Sequence, residues 1–255
     1  MSEYIELQDL PKGFVSYSQI NMYKRCPQQY KYRYVDGLKM PPKSGLIIGQ
    51  AVHSGLTEGF NEKIKSGGSD LKIVNLIKEK AVYELENLLS TTEVLYDENE
   101  DKDVLRDDTV KMSETYYNEI GKKLKPVEVK KPFEIQFSNV DWKLIGEIDV
   151  ITDELIDWKT GKQKLSEEYI VYDEQLKLYK IVVNKKPTIH QIVRYKKKDP
   201  QIYIYSSDFD EKIIKNTLQN VAIIVQLIRT GYFYKRLDDR VCSWCGYKDL
   251  CLKGE

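Results

Sequence analysis

The chain has 255 residues, enough for one large domain or two small ones. Its 41% hydrophobic and 31% charged residues are those of a globular protein, which excludes a disordered or collagen-like chain. Forty basic residues against forty acidic ones leave no bulk charge to announce a nucleic-acid or membrane partner, so any such contact must come from local clusters.

Residues 1–13 lack the basic and apolar blocks of a secretory signal, and no run approaches the ~18 apolar residues of a membrane span. The best stretch, residues 221–228, is short and contains Gln226. The expectation is a cytoplasmic, intracellular protein with no membrane partner. Four cysteines are too few for a disulfide scaffold and read as thiols or metal ligands in a reducing compartment.

The first part of the chain reads helical. Ser16 and Ser18 are candidate N-caps for a segment in which Ile20, Tyr23, Tyr30 and Tyr34 recur roughly at helical spacing. Cys26-Pro27 interrupts it and marks a bend or a new first turn. After Pro41-Pro42 a second helix is expected over residues 46–65, stopping at Ser66-Gly67-Gly68, and an amphipathic helix follows over 71–89. Between Glu93 and Asp108 eight acidic residues face only Lys102 and Arg106, which reads as a solvated loop and helix start.

The period then changes. Residues 133–137 and 142–150 alternate in strand fashion, and 154–159 form a third short strand closed by Thr160-Gly161, with turns at Ser138-Asn139 and Thr152-Asp153. A helix over 167–183, strands over 189–195 and 201–205 about a turn at Asp199-Pro200, and a helix over 208–228 complete the pattern before a Cys-rich tail. Strands set between helices indicate an α/β layer fold. No internal repeat or linker divides the chain.

The densest chemical signal is Gly146-Glu147-Ile148-Asp149 followed by Asp157-Trp158-Lys159-Thr160-Gly161. A hairpin can bring Asp149 and Asp157 to one edge of the sheet, and Asp157 and Lys159, two apart, share a strand face. Two carboxylates beside an ammonium can hold a hard divalent cation and orient a water for attack. On the surface the same residues would be a salt bridge worth only ~0–1 kcal/mol.

Asp149 with Asp157-x-Lys159 resembles the PD-(D/E)XK nuclease signature, and Asp157-Trp158-Lys159-Thr160-Gly161 resembles the RecB/AddB branch in particular. Gly49-Gln50-Ala51-Val52-His53 is similar to that branch's G-x-x-x-H helix, and Gln175-Leu176-Lys177-Leu178-Tyr179 to its Q-x-x-x-Y motif. Residues 16–34, through Cys26-Pro27, resemble its N-terminal helix. The proline of the nominal motif is replaced by Ile148.

The resemblance implies a restriction-endonuclease-like α/β fold, a mixed central sheet flanked by helices, within a single nuclease domain over residues 1–255. Its parts would be a helical region at about 14–125, an α/β core at 126–230 and a tail at 231–255 closing on Cys26. It implies Mg²⁺ or Mn²⁺ on Asp149, Asp157 and His53, with the Trp158 carbonyl as a further oxygen. Lys159 would position or help deprotonate the attacking water and stabilise the phosphate. Gln175 and Tyr179 would steady substrate or Lys159, and Glu134 is a weaker outer candidate.

Cys242-x-x-Cys245 and Cys251 place three thiols within ten positions, and Cys26 stands near the other end of the chain. Four thiolates suit zinc or an iron–sulfur cluster. One distant cysteine with a C-terminal triplet resembles the [4Fe–4S] arrangement of AddB-type and CRISPR-associated nucleases, with Zn²⁺ as the alternative. Bound across that separation, the group would act as a structural clasp.

Tyr30, Lys31, Arg33 and Tyr34 interleave rings with cations, and Arg194, Lys196 and Lys197 belong to a basic run. Rings stack on unpaired bases at ~1–3 kcal/mol each and cations neutralise phosphates. The expected activity is therefore that of a metal-dependent DNA exonuclease acting on single strands or frayed ends. Without a G-x-x-x-x-G-K-[ST] motif it would need a separate helicase to unwind a duplex. Recombination, repair, phage DNA processing by a phage-encoded protein, and CRISPR adaptation are all open as its setting. The competing expectation is a non-catalytic DNA-end-binding module stabilised by a cluster or zinc, and a zinc-stabilised structural protein comes third.

Overall fold

Caps and breakers set most of the helix boundaries. Ser16, in extended conformation, accepts the Gln19 amide and starts α1 (Tyr17–Arg25). Pro27 opens α2 (Pro27–Tyr30) after an extended Cys26, and one π-helical turn, Lys31–Val35, follows. Helix α3 (Ser44–Ser66) ends at Gly67, whose left-handed φ of 59° is strained for any residue with a Cβ. Ser69 caps α4 (Asp70–Thr91), and Asp101 caps α5 (Lys102–Glu119).

The computed structural model describes residues 7–195 and 198–253. Its strands are β1 (Phe14–Ser16), β2 (Glu128–Gln136), β3 (Lys143–Ile151), β4 (Glu154–Gly161), β5 (Lys186–Tyr195) and β6 (Lys198–Ser206). They form one mixed sheet in the order β1-β3-β4-β5-β6, with β2 also paired to β3. The β1–β3 and β4–β5 pairs are parallel, while β3–β4 and β5–β6 are antiparallel. A mixed sheet with flanking helices is the restriction-endonuclease-like α/β class expected above.

The helix expected over 167–183 is two helices, α6 (Tyr169–Tyr172) and α7 (Glu174–Val182). Asp173 is extended between them, and its carboxylate accepts the Leu176 amide. Asp199-Pro200 is not a turn but lies inside β6. Helix α8 (Glu211–Arg229), capped by Asp210, leads to α9 (Asp239–Cys242) and α10 (Lys248–Lys253).

The chain divides into two compact units built from separated stretches. One comprises Met1–Met40, Pro132–Gly146 and Asp210–Glu255, and the other Pro41–Lys131 and Glu147–Phe209. The core of the second unit gathers Ile47, Val52, Leu56, Phe60, Ile77, Tyr116, Val150, Ile156 and Trp158, from three helices and two strands. Glycines let α3 and α4 close on each other: a Cβ on Gly55 would stand 2.5 Å from the Ile77 carbonyl oxygen, and one on Gly59 would stand 2.2 Å from Ile77 Cγ1. In the first unit Tyr30 stacks on Phe233, and Tyr23 meets both rings edge-on. Among the described residues no helix is long and apolar enough to cross a membrane.

Candidate active site

The β3–β4 hairpin pairs Ile151 with Leu155 and Val150 with Ile156 about the Thr152-Asp153 turn, which Thr152 Oγ1 stabilises by accepting the Glu154 amide. One residue further on, the Trp158 amide donates to Asp149 Oδ2 at 2.9 Å. Strand β4 is covered on its other side by β5, in a register that pairs Asp157 with Ile189 and Trp158 with His190. Both carboxylates are consequently buried, Asp149 at 5% and Asp157 at 2% exposure. Alternation puts Lys159 on the Asp157 face, and its ammonium lies 2.6 Å from Asp157 Oδ2.

Trp158 fastens this strand to the interior. Its indole N–H donates to the Tyr116 hydroxyl, which is 2.7 Å from His190 Nδ1, and Phe60 stacks on its ring. Burial pushes the His190 imidazole down to about 4, so it is neutral at physiological pH.

The two carboxylates are electrostatically unlike. Burial alone would raise the Asp149 pKa, but His53 and Lys130 outweigh it and hold the group well below the usual carboxylate range. For Asp157 burial prevails over the attraction of Lys159, Asp149 adds repulsion, and its pKa rises to about 6. Burial would lower the Lys159 pKa. The carboxylates of Asp157 and Asp173 reverse that and keep the ammonium charged.

His53 reaches Asp149 from α3, its Nδ1 3.3 Å from Asp149 Oδ1, with its ring edge-on to Trp158. Gly49, one turn earlier, lets the helix approach the sheet: a Cβ there would lie 2.8 Å from Thr160 Oγ1. From α7, Gln175 Oε1 accepts the Lys159 ammonium at 2.7 Å, and Gln175 Nε2 donates to the Tyr179 hydroxyl at 2.5 Å. The G-x-x-x-H and Q-x-x-x-Y patterns therefore meet the D-x-K strand in space.

Lys130 and Asp173 escaped the sequence reading. Lys130 donates to Asp149 Oδ1 at 2.7 Å and stands 3.1 Å from Glu147. It lies on β2, before the alternating run that revealed that strand, so periodicity gave no signal for it. Asp173 could have been suspected as a helix cap inside the long 167–183 pattern. Glu134 pairs with Lys143 at 2.8 Å, in the first unit.

Gly49, Gln50, His53, Lys130, Lys159 and Thr160 border a cleft of about 670 Å³, in the size range of a small-molecule or nucleotide site. Among the described residues no three His, Cys, Asp or Glu side chains stand in ready-made ligand geometry. The donor set nevertheless suits a hard divalent cation, with two buried carboxylates and an imidazole.

In the first unit Cys26, Cys242, Cys245 and Cys251 border one small cavity with Tyr32 and Tyr247. Cys26 is buried, and burial together with the other three thiols raises the Cys245 pKa. The Tyr247 hydroxyl donates to the Leu38 carbonyl at 2.7 Å, joining the tail to the segment after α2. Soft thiol donors gathered this way suit iron–sulfur or zinc binding.

The residues expected to contact nucleic acid fare unevenly. Tyr30 is fully buried, its hydroxyl donating to Gln19 Oε1, so it is core rather than a stacking platform. Arg194 is 7% exposed and committed to Glu100 and Asp108, which removes it as a phosphate contact. Glu100 in turn is not solvated: Lys162 lies 2.7 Å away and Ser44 donates to it. Lys31 pairs with Asp36 at 2.7 Å, and Arg33 is exposed beside the Tyr34 ring. Lys196 and Lys197 lie outside the described residues.

No curated protein matches the chain. A solved structure from Eubacterium rectale, provisionally named an exonuclease, superposes with a TM-score of 0.61 over 96% of this chain and 89% of its own, at 12% identity, a likeness of fold. A second solved structure aligns over 82% of this chain and 96% of its own at a TM-score of 0.37 and 12% identity. The family profile of the PD-(D/E)XK nuclease superfamily matches residues 15–252. With nearly its whole length matched, the chain belongs to the PD-(D/E)XK nuclease superfamily.

Proposed function

We propose that the protein is a metal-dependent DNA exonuclease that hydrolyses phosphodiester bonds at single-stranded or frayed ends. The observation that carries this reading is the meeting of His53, Asp149, Asp157 and Lys159 beside one cleft, from helix α3 and a β3–β4 hairpin far from it in the chain. Asp149, Asp157 and His53 would hold Mg²⁺ or Mn²⁺, with the Trp158 carbonyl adding an oxygen. When bound, the cation supplies Lewis-acid activation of water and neutralises charge on the phosphate.

The chain's own groups divide the remaining work. Lys159, kept protonated, places positive charge beside the phosphate as negative charge builds on its oxygens. Gln175 fixes the direction of that ammonium and Tyr179 fixes Gln175, so the pair acts by positioning. The four cysteines of the first unit would hold a [4Fe–4S] cluster, with zinc as the alternative. A cluster there would be a clasp between α2 and the tail and not a reaction centre.

The test is cleavage of end-labelled single- and double-stranded DNA with Mg²⁺, Mn²⁺ or EDTA. Cleavage should require the metal and start from ends. Asp157→Asn and Lys159→Met should each lower it at least 100-fold while DNA affinity stays near wild type. Wild-type protein that binds DNA ends yet cleaves none under any metal would favour the binding-module reading instead.

A further inference from the structure

The cation nearest Asp149 is a side chain of the protein itself. Lys130 Nζ lies 2.7 Å from Asp149 Oδ1, the same oxygen that His53 Nδ1 approaches at 3.3 Å. Asp149 Oδ2 is already occupied by the Trp158 amide. Both oxygens of this carboxylate are thus engaged, and Oδ1, held by side chains and not by the backbone, is the one a divalent ion would take.

Two further observations set Lys130 apart from an ordinary surface lysine. Its backbone adopts φ 50°, inside a strand and at a residue with a Cβ, a sparsely populated conformation retained where surrounding structure enforces it. Its ammonium also touches Glu147 at 3.1 Å, a half-exposed carboxylate two residues before Asp149, so it has a second acceptor within reach.

We propose that Lys130 is the resident counter-ion of the metal site: its ammonium neutralises Asp149 in the metal-free protein, and a divalent cation binds by displacing it toward Glu147. The proposal rests on the reading of Asp149 as a metal ligand. Metal binding is then an exchange of one cation for another, and Lys130 weakens the apparent affinity by occupying the ligand and by repelling the incoming charge. The same displacement keeps the ammonium beside the cleft that Lys130 and Lys159 both border, where it can meet a phosphate. As a positioning residue Lys130 therefore sets the metal concentration at which the site fills.

The test is calorimetric titration of the full chain with Mn²⁺ in the absence of DNA, for wild type, Lys130→Met, Lys130→Arg and Asp157→Asn. Lys130→Met should bind Mn²⁺ at least tenfold more tightly than wild type, whereas Lys130→Arg should bind no more tightly than wild type. In EDTA Lys130→Met should melt below wild type, because Asp149 has lost its counter-ion, and saturating Mn²⁺ should close the gap. Equal or weaker Mn²⁺ binding by Lys130→Met, with wild-type binding intact and abolished by Asp157→Asn, overturns the counter-ion proposal alone. No Mn²⁺ binding by wild type or Lys130→Met overturns both this proposal and the metal-site reading beneath it.

Discussion

Gly49→Ala adds a single methyl to α3, and the structure determines where the effect must appear. The new Cβ would lie 2.8 Å from Thr160 Oγ1, so roughly half an ångström of separation must be found to reach normal contact. Threonine carries two heavy atoms on Cβ, so rotation about χ1 offers little relief and helix and strand must part. Such overpacking costs ~1–3 kcal/mol, against ~1 kcal/mol gained by replacing glycine with alanine inside a helix. The net loss of stability should be at most about 2 kcal/mol.

The larger effect falls on the site. His53 sits one turn beyond Gly49 and Thr160 follows Lys159, so parting them lengthens the 3.3 Å approach of His53 to Asp149. A displacement of that size should weaken Mn²⁺ binding on the order of tenfold. The assay is Mn²⁺ titration and denaturant unfolding of Gly49→Ala, Thr160→Ala and the double variant. Removing Oγ1 should restore most of the lost affinity, giving a coupling of about 1 kcal/mol between the two positions. An affinity loss of the same size with and without Thr160→Ala would refute the steric account of the glycine.

Two other outcomes are expected. His190 has its pKa depressed to about 4 by burial, against ~6.5 in the unfolded chain, so its contribution is complete above pH ~6.5 and is lost as pH falls toward 4. Denaturant unfolding at several pH values should show wild type losing about 3 kcal/mol more than His190→Gln across that window, and parallel losses would show that His190 carries none of it. The purified protein should contain about four irons per chain, and Cys26→Ala should lose them and melt lower while any folded fraction still binds Mn²⁺. Unchanged melting with selective loss of cleavage would mean that the thiol cavity takes part in the reaction.

Local pattern made the helices, the D-x-K strand and the Q-x-x-x-Y helix legible, because caps, alternation and i, i+4 spacing act between near neighbours in the chain. The break at Asp173 carried a local cap signal that the helical spacing around it masked, whereas the absence of a turn at Asp199-Pro200 was not legible in that way, since it depends on what the backbone meets elsewhere. The sequence by itself determined which chemical groups the chain carries: Asp149, Asp157, Lys159 and His53 are ionisable groups in a recognisable order, and four cysteines stand one near its start and three near its end. Tertiary structure decided which charges face which. Tyr30 and Arg194 look like contacts for nucleic acid in sequence and are buried, Tyr30 because its aromatic area gains from packing against Phe233 and Arg194 because two carboxylates from distant segments enclose it. Lys130 looks ordinary in sequence and lies against Asp149, because β2 brings it there and sequence distance carries no information about that approach.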